Sequence, residues 1–282
     1  MKFFKNNIVF DAGSCHKIVL AILFFSAFTS CKKNIDPLTF PEKEVVVKEL
    51  IITGQASELF QIRNFWENTI GCEVVSQTFN SFTLKIGTSL LTFKPNFISV
   101  LRPQYHFAIL IPSNQIENCL AWLKNGGNKK DGKEIQLWRG GESNAEIIQS
   151  PLYNSTSVYF ADFGGNIIEL VARRNIDNPE SGEFSSEMFK EINAVSIVTK
   201  EIRAAQELIE DNLGYKPVDR TTSGYKVMGN ANGLINLVVQ GRILPPTTTE
   251  IAFPFEMEVV VQNPDSIEVP IPGFFLKITT RP

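Results

Sequence analysis

The stretch "STSVYFADFGGNIIELVARR", residues 155–174, contains two strand-like runs joined by a turn. β-Branched and aromatic residues dominate both runs, and Gly164, Gly165 and Asn166 between them are typical of a turn. The second run holds a carboxylate, Glu169, among apolar residues. Burying a carboxylate is costly unless a cation or a hydrogen-bond donor meets it. The stretch therefore predicts a hairpin in which Glu169 has a partner.

One candidate partner is His106, in the strand-like stretch "YHFAILIP", residues 105–112. The sequence holds two histidines, and the other, His16, lies in a predicted leader. An imidazole nitrogen and a carboxylate oxygen together suit Zn, Fe, Mn or Ni. A protonated imidazole could also pair with the carboxylate without a metal. Both interpretations stay open from the residues alone.

A pattern of strand, helix and further strands repeats along the chain. The first copy begins with the strand-like "VVVKELIIT", residues 45–53, and continues with a helix that is predicted to end at Gly71 and three strand-like runs. In the second copy, residues 134–140, "EIQLWRG", are also predicted to form a strand. The later copies begin near residues 105, 191 and 253, and the last lacks a helix. The repeat predicts an α+β fold built from βαβββ units.

Three stretches together resemble the vicinal oxygen chelate superfamily, which includes glyoxalase I, extradiol dioxygenases and bleomycin resistance proteins. They are "WENTIGCEV" (66–74), "YHFAILIP" and "YFADFGGNIIEL" (159–170), in which Phe163 replaces the family's usual proline. The resemblance implies paired βαβββ modules that form cupped mixed sheets around a divalent metal ion. It places His106 and Glu169 at two ligand positions, on the first and last strands of the second unit.

The same resemblance leaves the third ligand open between two residues of the first strand. An ungapped alignment puts Ile51 at the ligand position, and two extra loop residues would put Glu49 there. With Glu49 as the third ligand, the predicted metal ligands are His106, Glu169 and Glu49, and the predicted ion is Zn, Fe, Mn or Ni. Tyr105 and Tyr159 are predicted to line the substrate cup.

The resemblance implies a metal-dependent lyase, isomerase or dioxygenase that acts on a small oxygen-bearing molecule. The alternative is a non-catalytic, lipid-anchored protein that binds a small molecule or a protein partner. The family performs several reactions on one frame, so the fold alone does not choose among them.

The predicted domain division follows the repeats. Residues 45–174 form a first domain of two units, the polar residues 175–190 form a linker, and residues 191–282 form a second, abbreviated domain. The second domain holds no histidine, and Ala194 takes its ligand position. We expect this domain to be degenerate and to pack against the first.

The stretch "KIVLAILFFSAFTSCKK", residues 17–33, has the features of a secretory leader. Its apolar run is shorter than the roughly 20 residues of a membrane-spanning helix. The end of the run resembles the bacterial lipoprotein box, which implies cleavage before Cys31 and acylation there. Residues 1–31 are thus predicted to be a signal peptide and residues 32–44 a tether. The expected location is the bacterial cell envelope, membrane-anchored, with secretion as the alternative.

Charge and cysteine content exclude two further classes. The chain of 282 residues carries 27 basic and 30 acidic side chains, so it has no basic surplus for binding nucleic acid. Its four cysteines form no CxxC pair, which disfavours a structural zinc site. Cys72 and Cys119 are predicted to be buried free thiols, although only geometry can decide against a disulfide.

Overall fold

The computed structural model describes residues 37–97, 101–129, 135–141, 143–218, 224–273 and 275–282. The predicted signal peptide, Cys31 and the first part of the predicted tether lie outside these residues. The rest of that tether packs against the body of the protein. Leu38 is buried, and its backbone N–H donates a hydrogen bond to the carbonyl of Leu152 at 2.9 Å. Residues 37–44 are therefore part of the folded unit.

The described residues form strands and a few short helices. The strands are β1 (Val47–Gln55), β2 (Val74–Gln77), β3 (Phe82–Ile86), β4 (Ser89–Asn96), β5 (His106–Ile111), β6 (Ile148–Ser150), β7 (Ser155–Ala161), β8 (Ile167–Arg173), β9 (Glu191–Thr199), β10 (Tyr225–Asn230), β11 (Gly233–Val239), β12 (Met257–Gln262), β13 (Glu268–Ile271) and β14 (Leu276–Arg281). The α-helices are α1 (Leu59–Asn64), which continues as a π-helical segment over Phe65–Ile70, α2 (Ile116–Lys124) and α3 (Ile202–Leu213). Short 3-10 segments cover Ala56–Glu58, Gly127–Lys129, Pro151–Tyr153 and Ser186–Met188.

These strands form two mixed sheets of seven strands each. Sheet 1 has the order β13-β14-β12-β1-β4-β3-β2, and sheet 2 has the order β10-β11-β9-β5-β8-β7-β6. In each sheet two units meet through an antiparallel pair of their first strands, β1 with β12 and β5 with β9. The predicted α+β fold of paired βαβββ units in cupped sheets is confirmed.

The sheets do not follow the predicted domain boundary at residues 175–190. Sheet 1 joins the first unit to the last, and sheet 2 joins the second unit to the third. Each sheet therefore contains strands from both sides of that segment. The free edge of β1 is paired by the C-terminal strands, so the part of the chain predicted to be a second domain completes both sheets.

Two helical segments end at glycines, and the end at Gly71 is as predicted from the sequence. Helix α3 stops at Gly214, whose φ of +67° is the left-handed conformation that glycine adopts without strain. The π-helical segment after α1 stops at Gly71, with a φ of +88°. Both buried cysteines, Cys72 and Cys119, are free thiols, as predicted.

The predicted strand over residues 134–140 is wrong. In the described part of this stretch, Leu137 makes an isolated bridge to Phe160, and Gly140 makes another to Ala145. The outer edge of β7 is already paired over Ser155–Ser157 by the short strand β6. Only the far end of that edge remains for Leu137, so no ladder forms there.

The turn between β7 and β8 fixes the position of Glu169. The buried Asp162 carboxylate accepts hydrogen bonds from the backbone and side-chain nitrogens of Asn166, both at 2.9 Å, and from Trp66 Nε1 at 3.1 Å. Side chains alternate along β8, so Ile168 and Leu170 enter the main hydrophobic core. Glu169 consequently faces the opposite side of sheet 2.

Candidate functional site

A cavity of about 240 Å³ lies against the face of sheet 2 that is opposite the main core. Strands β5, β7, β8, β9 and β11 provide its floor, and Arg242, Leu244 and Pro245 in the segment after β11 cover one side. Its polar wall includes His106, Tyr159, Glu169, Arg173, Ser196 and Asn236. The size and mixed lining suit a small molecule.

The structure brings His106 and Glu169 together in this wall. His106 Nε2 lies 3.4 Å from Glu169 Oε2, and the side chains are only 12% and 14% exposed. The parallel pairing of β5 with β8 produces this contact, because Ala108 is opposite Glu169 and His106 lies two residues earlier on the same face. The distance is that of an ion pair and is longer than an ordinary N–H···O hydrogen bond.

Neighbouring hydroxyl groups orient both members of the pair. His106 Nδ1 is 2.8 Å from Ser196 Oγ, and Ser157 Oγ donates to Glu169 Oε1 at 2.6 Å. The Tyr159 ring lies along the imidazole, with the ring centroids 6.2 Å apart and an interplanar angle of 28°. These contacts leave Nε2 of the imidazole as the nitrogen that faces Glu169.

The electrostatic balance keeps Glu169 ionised. Burial raises the pKa of its carboxyl group, but the imidazole of His106 and the hydroxyl of Ser157 outweigh burial, so the pKa is lowered overall. Burial acts in the opposite direction on the Arg173 guanidinium and lowers its pKa, which the charge of Glu169 partly offsets. Burial raises the pKa of Tyr159, and the charge of Glu169 raises it further.

Several buried polar atoms of the wall lack a hydrogen-bond partner among the described residues. They are His106 Nε2, Arg173 Nη1 and Asn236 Oδ1, which belong to three residues that line the same cavity. Buried polar groups are nearly always satisfied by protein, water or ligand. Their concentration in one cavity indicates a place for a polar molecule.

The third predicted ligand, Glu49, is not in this cluster. It lies on β1 in sheet 1, where Thr92 Oγ1 donates to its Oε1 at 2.6 Å and Arg281 Nη1 lies 3.4 Å from its Oε2. The first unit pairs with the last unit rather than with the second. Glu49 and His106 therefore belong to different sheets.

The two predicted pocket tyrosines have different positions. Tyr159 lines the cavity of sheet 2. Tyr105 is instead buried between the sheets, where its hydroxyl donates to the carbonyl of Glu256 at 2.7 Å and lies 2.8 Å from Thr53 Oγ1. Tyr105 precedes β5 and does not line the cavity of sheet 2, and its hydroxyl connects β1 to the segment before β12.

The residues present do not fit the predicted metal centre. Catalytic zinc sites use about three protein ligands. Within the described ranges, no group of three or more His, Cys, Asp and Glu side chains could hold a metal ion. His106 and Glu169 supply one imidazole nitrogen and one carboxylate oxygen, since Ser196 and Ser157 occupy their other atoms. Buried Arg173 in the same wall adds a positive charge, which further disfavours a divalent cation.

Among the polar residues in and around this wall, Arg173, Ser157, Ser196 and Asn236 were not predicted from the sequence. Arg173 could have been found, because it lies four residues after Glu169 on β8 and alternation puts both on one face. The same reasoning connects Ser157 with Tyr159 on β7. Ser196 and Asn236 depend on how β9 and β11 align with β5, which no local pattern shows.

The fold is shared with solved structures of the glyoxalase and dioxygenase type. A structure named as a putative dioxygenase from Bacillus subtilis matches with a TM-score of 0.54 and 13% identity, over 86% of this chain and 87% of that chain. Glyoxalase I from Zea mays matches with a TM-score of 0.46 and 10% identity, over 84% of this chain and 92% of that chain. No protein-family model matches the sequence, and no curated protein matches it. The likeness to the Bacillus subtilis structure thus shows a shared fold.

Proposed function

We propose that the protein binds a small oxygen-bearing organic molecule in the cavity of sheet 2 and that His106 and Glu169 transfer a proton on it. The observation that carries this proposal is the pair itself. His106 Nε2 lies 3.4 Å from an ionised carboxylate in the cavity wall and has no hydrogen-bond partner among the described residues.

Proton transfer is the chemistry that these side chains can supply themselves. A base positioned beside the bound molecule removes a proton from the carbon next to a carbonyl group. Return of the proton to a neighbouring atom gives isomerisation, and departure of a leaving group gives a lyase reaction. The hydroxyl of Ser196 holds the imidazole in place, and the carboxylate of Glu169 lies 3.4 Å from its Nε2.

The test uses the full-length protein and hydrogen exchange in D₂O. Lactate, pyruvate and their methyl esters are incubated with the protein, and ¹H NMR follows the loss of the proton next to each carbonyl group. We expect the protein to accelerate exchange of at least one compound, and both H106Q and E169Q to lower that rate at least about tenfold. E49Q in sheet 1 is the matched control and should keep the wild-type rate.

Binding measured by calorimetry on the same samples separates the proposal from its alternative. Binding without exchange would support the non-catalytic small-molecule binder, which the close mutual pairing of His106 and Glu169 also suits. Exchange that persists in both site variants would overturn the assigned roles. Stoichiometric Zn, Fe, Mn or Ni in the purified protein, lost in H106Q, would restore the metal-dependent enzyme.

We also propose that Cys31 carries a lipid anchor and that the protein is attached to a membrane of the bacterial cell envelope. The support is the leader-like sequence before Cys31. Mass spectrometry of the mature N-terminus should find an acylated cysteine. C31A should move the protein from the membrane fraction to the soluble fraction, and an unmodified Cys31 would contradict the anchor.

A further inference from the structure

Arg173 is a buried cation without a carboxylate partner. The residue is 3% exposed, and its Nε donates to Asn193 Oδ1 at 2.6 Å. Its Nη1 has no hydrogen-bond partner, and no ion pair with Arg173 occurs in the described part of the chain. A buried charge of this kind is costly unless something neutralises it. Glu169 acts on it only through space, since that carboxylate already contacts His106 and Ser157.

A second guanidinium enters the same cavity from the segment after β11. Arg242 lies over the Tyr225 ring, with its Cζ 5.5 Å from the ring centroid. Arg173, Arg242 and Tyr225 all line this cavity. The hydroxyl-bearing Tyr153 and Ser155 line the wall beside them. This end of the cavity therefore combines positive charge with hydroxyl groups.

We infer, on the basis of the proposed function, that the bound molecule is a carboxylic acid whose carboxylate is held by Arg173 and Arg242. A carboxylate is planar and presents two oxygens that match the N–H groups of a guanidinium. It would satisfy Arg173 Nη1, one of the partnerless atoms in this wall. The oxygen-bearing remainder of the molecule would then extend toward His106 and Glu169.

Charge favours a carboxylate over a phosphate at this position. Glu169 and Arg173 lie four residues apart on the same face of β8, and Glu169 is ionised. A doubly charged phosphate at Arg173 would be repelled by Glu169 more strongly than a singly charged carboxylate. The cavity thus selects a monoanion that has a second oxygen function, as in α-hydroxy and α-oxo acids.

The experiment measures Kd for lactate, pyruvate, their methyl esters and methyl phosphate with the full-length protein. We expect at least one acid to bind about tenfold or more tightly than its ester. R242M should reduce this preference several-fold. R173K keeps the charge but loses the planar fork, and should reduce the preference as well. R281M in sheet 1, where Arg281 is an exposed partner of Glu49, should leave all values unchanged.

The outcomes separate this inference from the proposed function. Equal binding of acid and ester, a preference that R173K and R242M leave unchanged, or tighter binding of methyl phosphate would each overturn the carboxylate assignment. If the protein still accelerated exchange of the proton next to the carbonyl group of a methyl ester in D₂O, the proposed function would stand in those cases. E169Q should lose exchange yet retain the preference for the acid, so loss of that preference in E169Q would count against Arg173 and Arg242 as the binding groups. If no compound binds, both proposals fail.

Discussion

Sheet 1 and sheet 2 are built from the same kinds of unit, but their polar faces arrange charge differently. On sheet 1, the carboxylates of the strands pair with basic side chains of the same sheet. Glu49 pairs with Arg281 at 3.4 Å, and Lys277 lies 3.5 Å from Glu258 and 3.0 Å from Glu268. Glu49 is only 14% exposed, like Glu169, but its partner Arg281 is 59% exposed, and Lys277 is 37% exposed. Ion pairs with such exposed partners contribute little to stability.

On sheet 2, the basic side chains His106 and Arg173 are largely buried as well, and the charges are only partly paired. Glu169 contacts His106, while Arg173 and Asn236 each retain an atom without a partner. Folding alone does not require such an arrangement, because a self-paired face like that of sheet 1 is sufficient. Departures from local consistency of this kind are expected at functional sites. The comparison therefore places the candidate site in sheet 2.

The largest expected difference comes from removing one carboxylate from each sheet. E169A leaves His106, Ser157 and Arg173 without their anionic neighbour in a nearly buried site, so we expect the free energy of unfolding to fall by about 1–3 kcal/mol. E49A leaves Arg281 exposed to solvent, and we expect a loss below about 1 kcal/mol. Urea unfolding of both variants checks this. Equal losses in the two variants would remove the distinction between the sheets.

A smaller effect concerns the pH dependence of two carboxylates in sheet 2. Glu169 has a lowered pKa, so its contribution to stability is present above its ordinary value of 4.5 and is lost as pH falls. Burial raises the pKa of Asp162 more than its hydrogen bonds lower it, so its contribution is present below its ordinary value of 3.8 and is lost as pH rises.

Urea unfolding across acidic pH therefore gives opposite trends for two conservative variants. The stability gap between wild type and E169Q should shrink on acidification. The gap between wild type and D162N should shrink as pH rises. If both stability gaps changed in the same direction with pH, Glu169 would behave like the buried turn residue Asp162. It would then not be an ionised group paired with His106.

Local sequence signals predicted the elements of both sheets well. Strand β9 begins at Glu191, where the third copy was predicted to begin, and the helix of the first copy stops at Gly71 as predicted. These features depend on residue periodicity and on a glycine that can adopt a positive φ, which are readable over a few positions. The strand prediction for residues 134–140 was wrong because a strand there needs the edge of β7, which β6 already occupies.

The candidate site was predictable only as far as alternation along a strand extends. His106 and Glu169 meet as the family resemblance implied, and Arg173 follows from the alternation in β8. Glu49 does not join this pair, because which units pair with each other is a long-range property of the fold. An antiparallel pairing of β1 with β12 puts it in sheet 1, and nothing within its own strand distinguishes that pairing from one with β5. Ser196 and Asn236 were missed for the same reason.

The smallest expected effect tests whether the polar face of sheet 1 is only a solvated surface. Lys277 lies between two carboxylates, and its hydrogen bond to Glu268 raises its pKa despite its exposed position. K277M should lower the free energy of unfolding by less than about 1 kcal/mol, and added salt should diminish the loss because exposed charges are screened.

K85M is the matched control, since Lys85 is exposed on β3 of the same sheet and forms no ion pair in the described ranges. Urea unfolding at low and high salt distinguishes the two variants. A large loss in K277M that salt leaves unchanged would mean that sheet 1 also holds a desolvated charge cluster, and the contrast that assigns the site to sheet 2 would lose its basis.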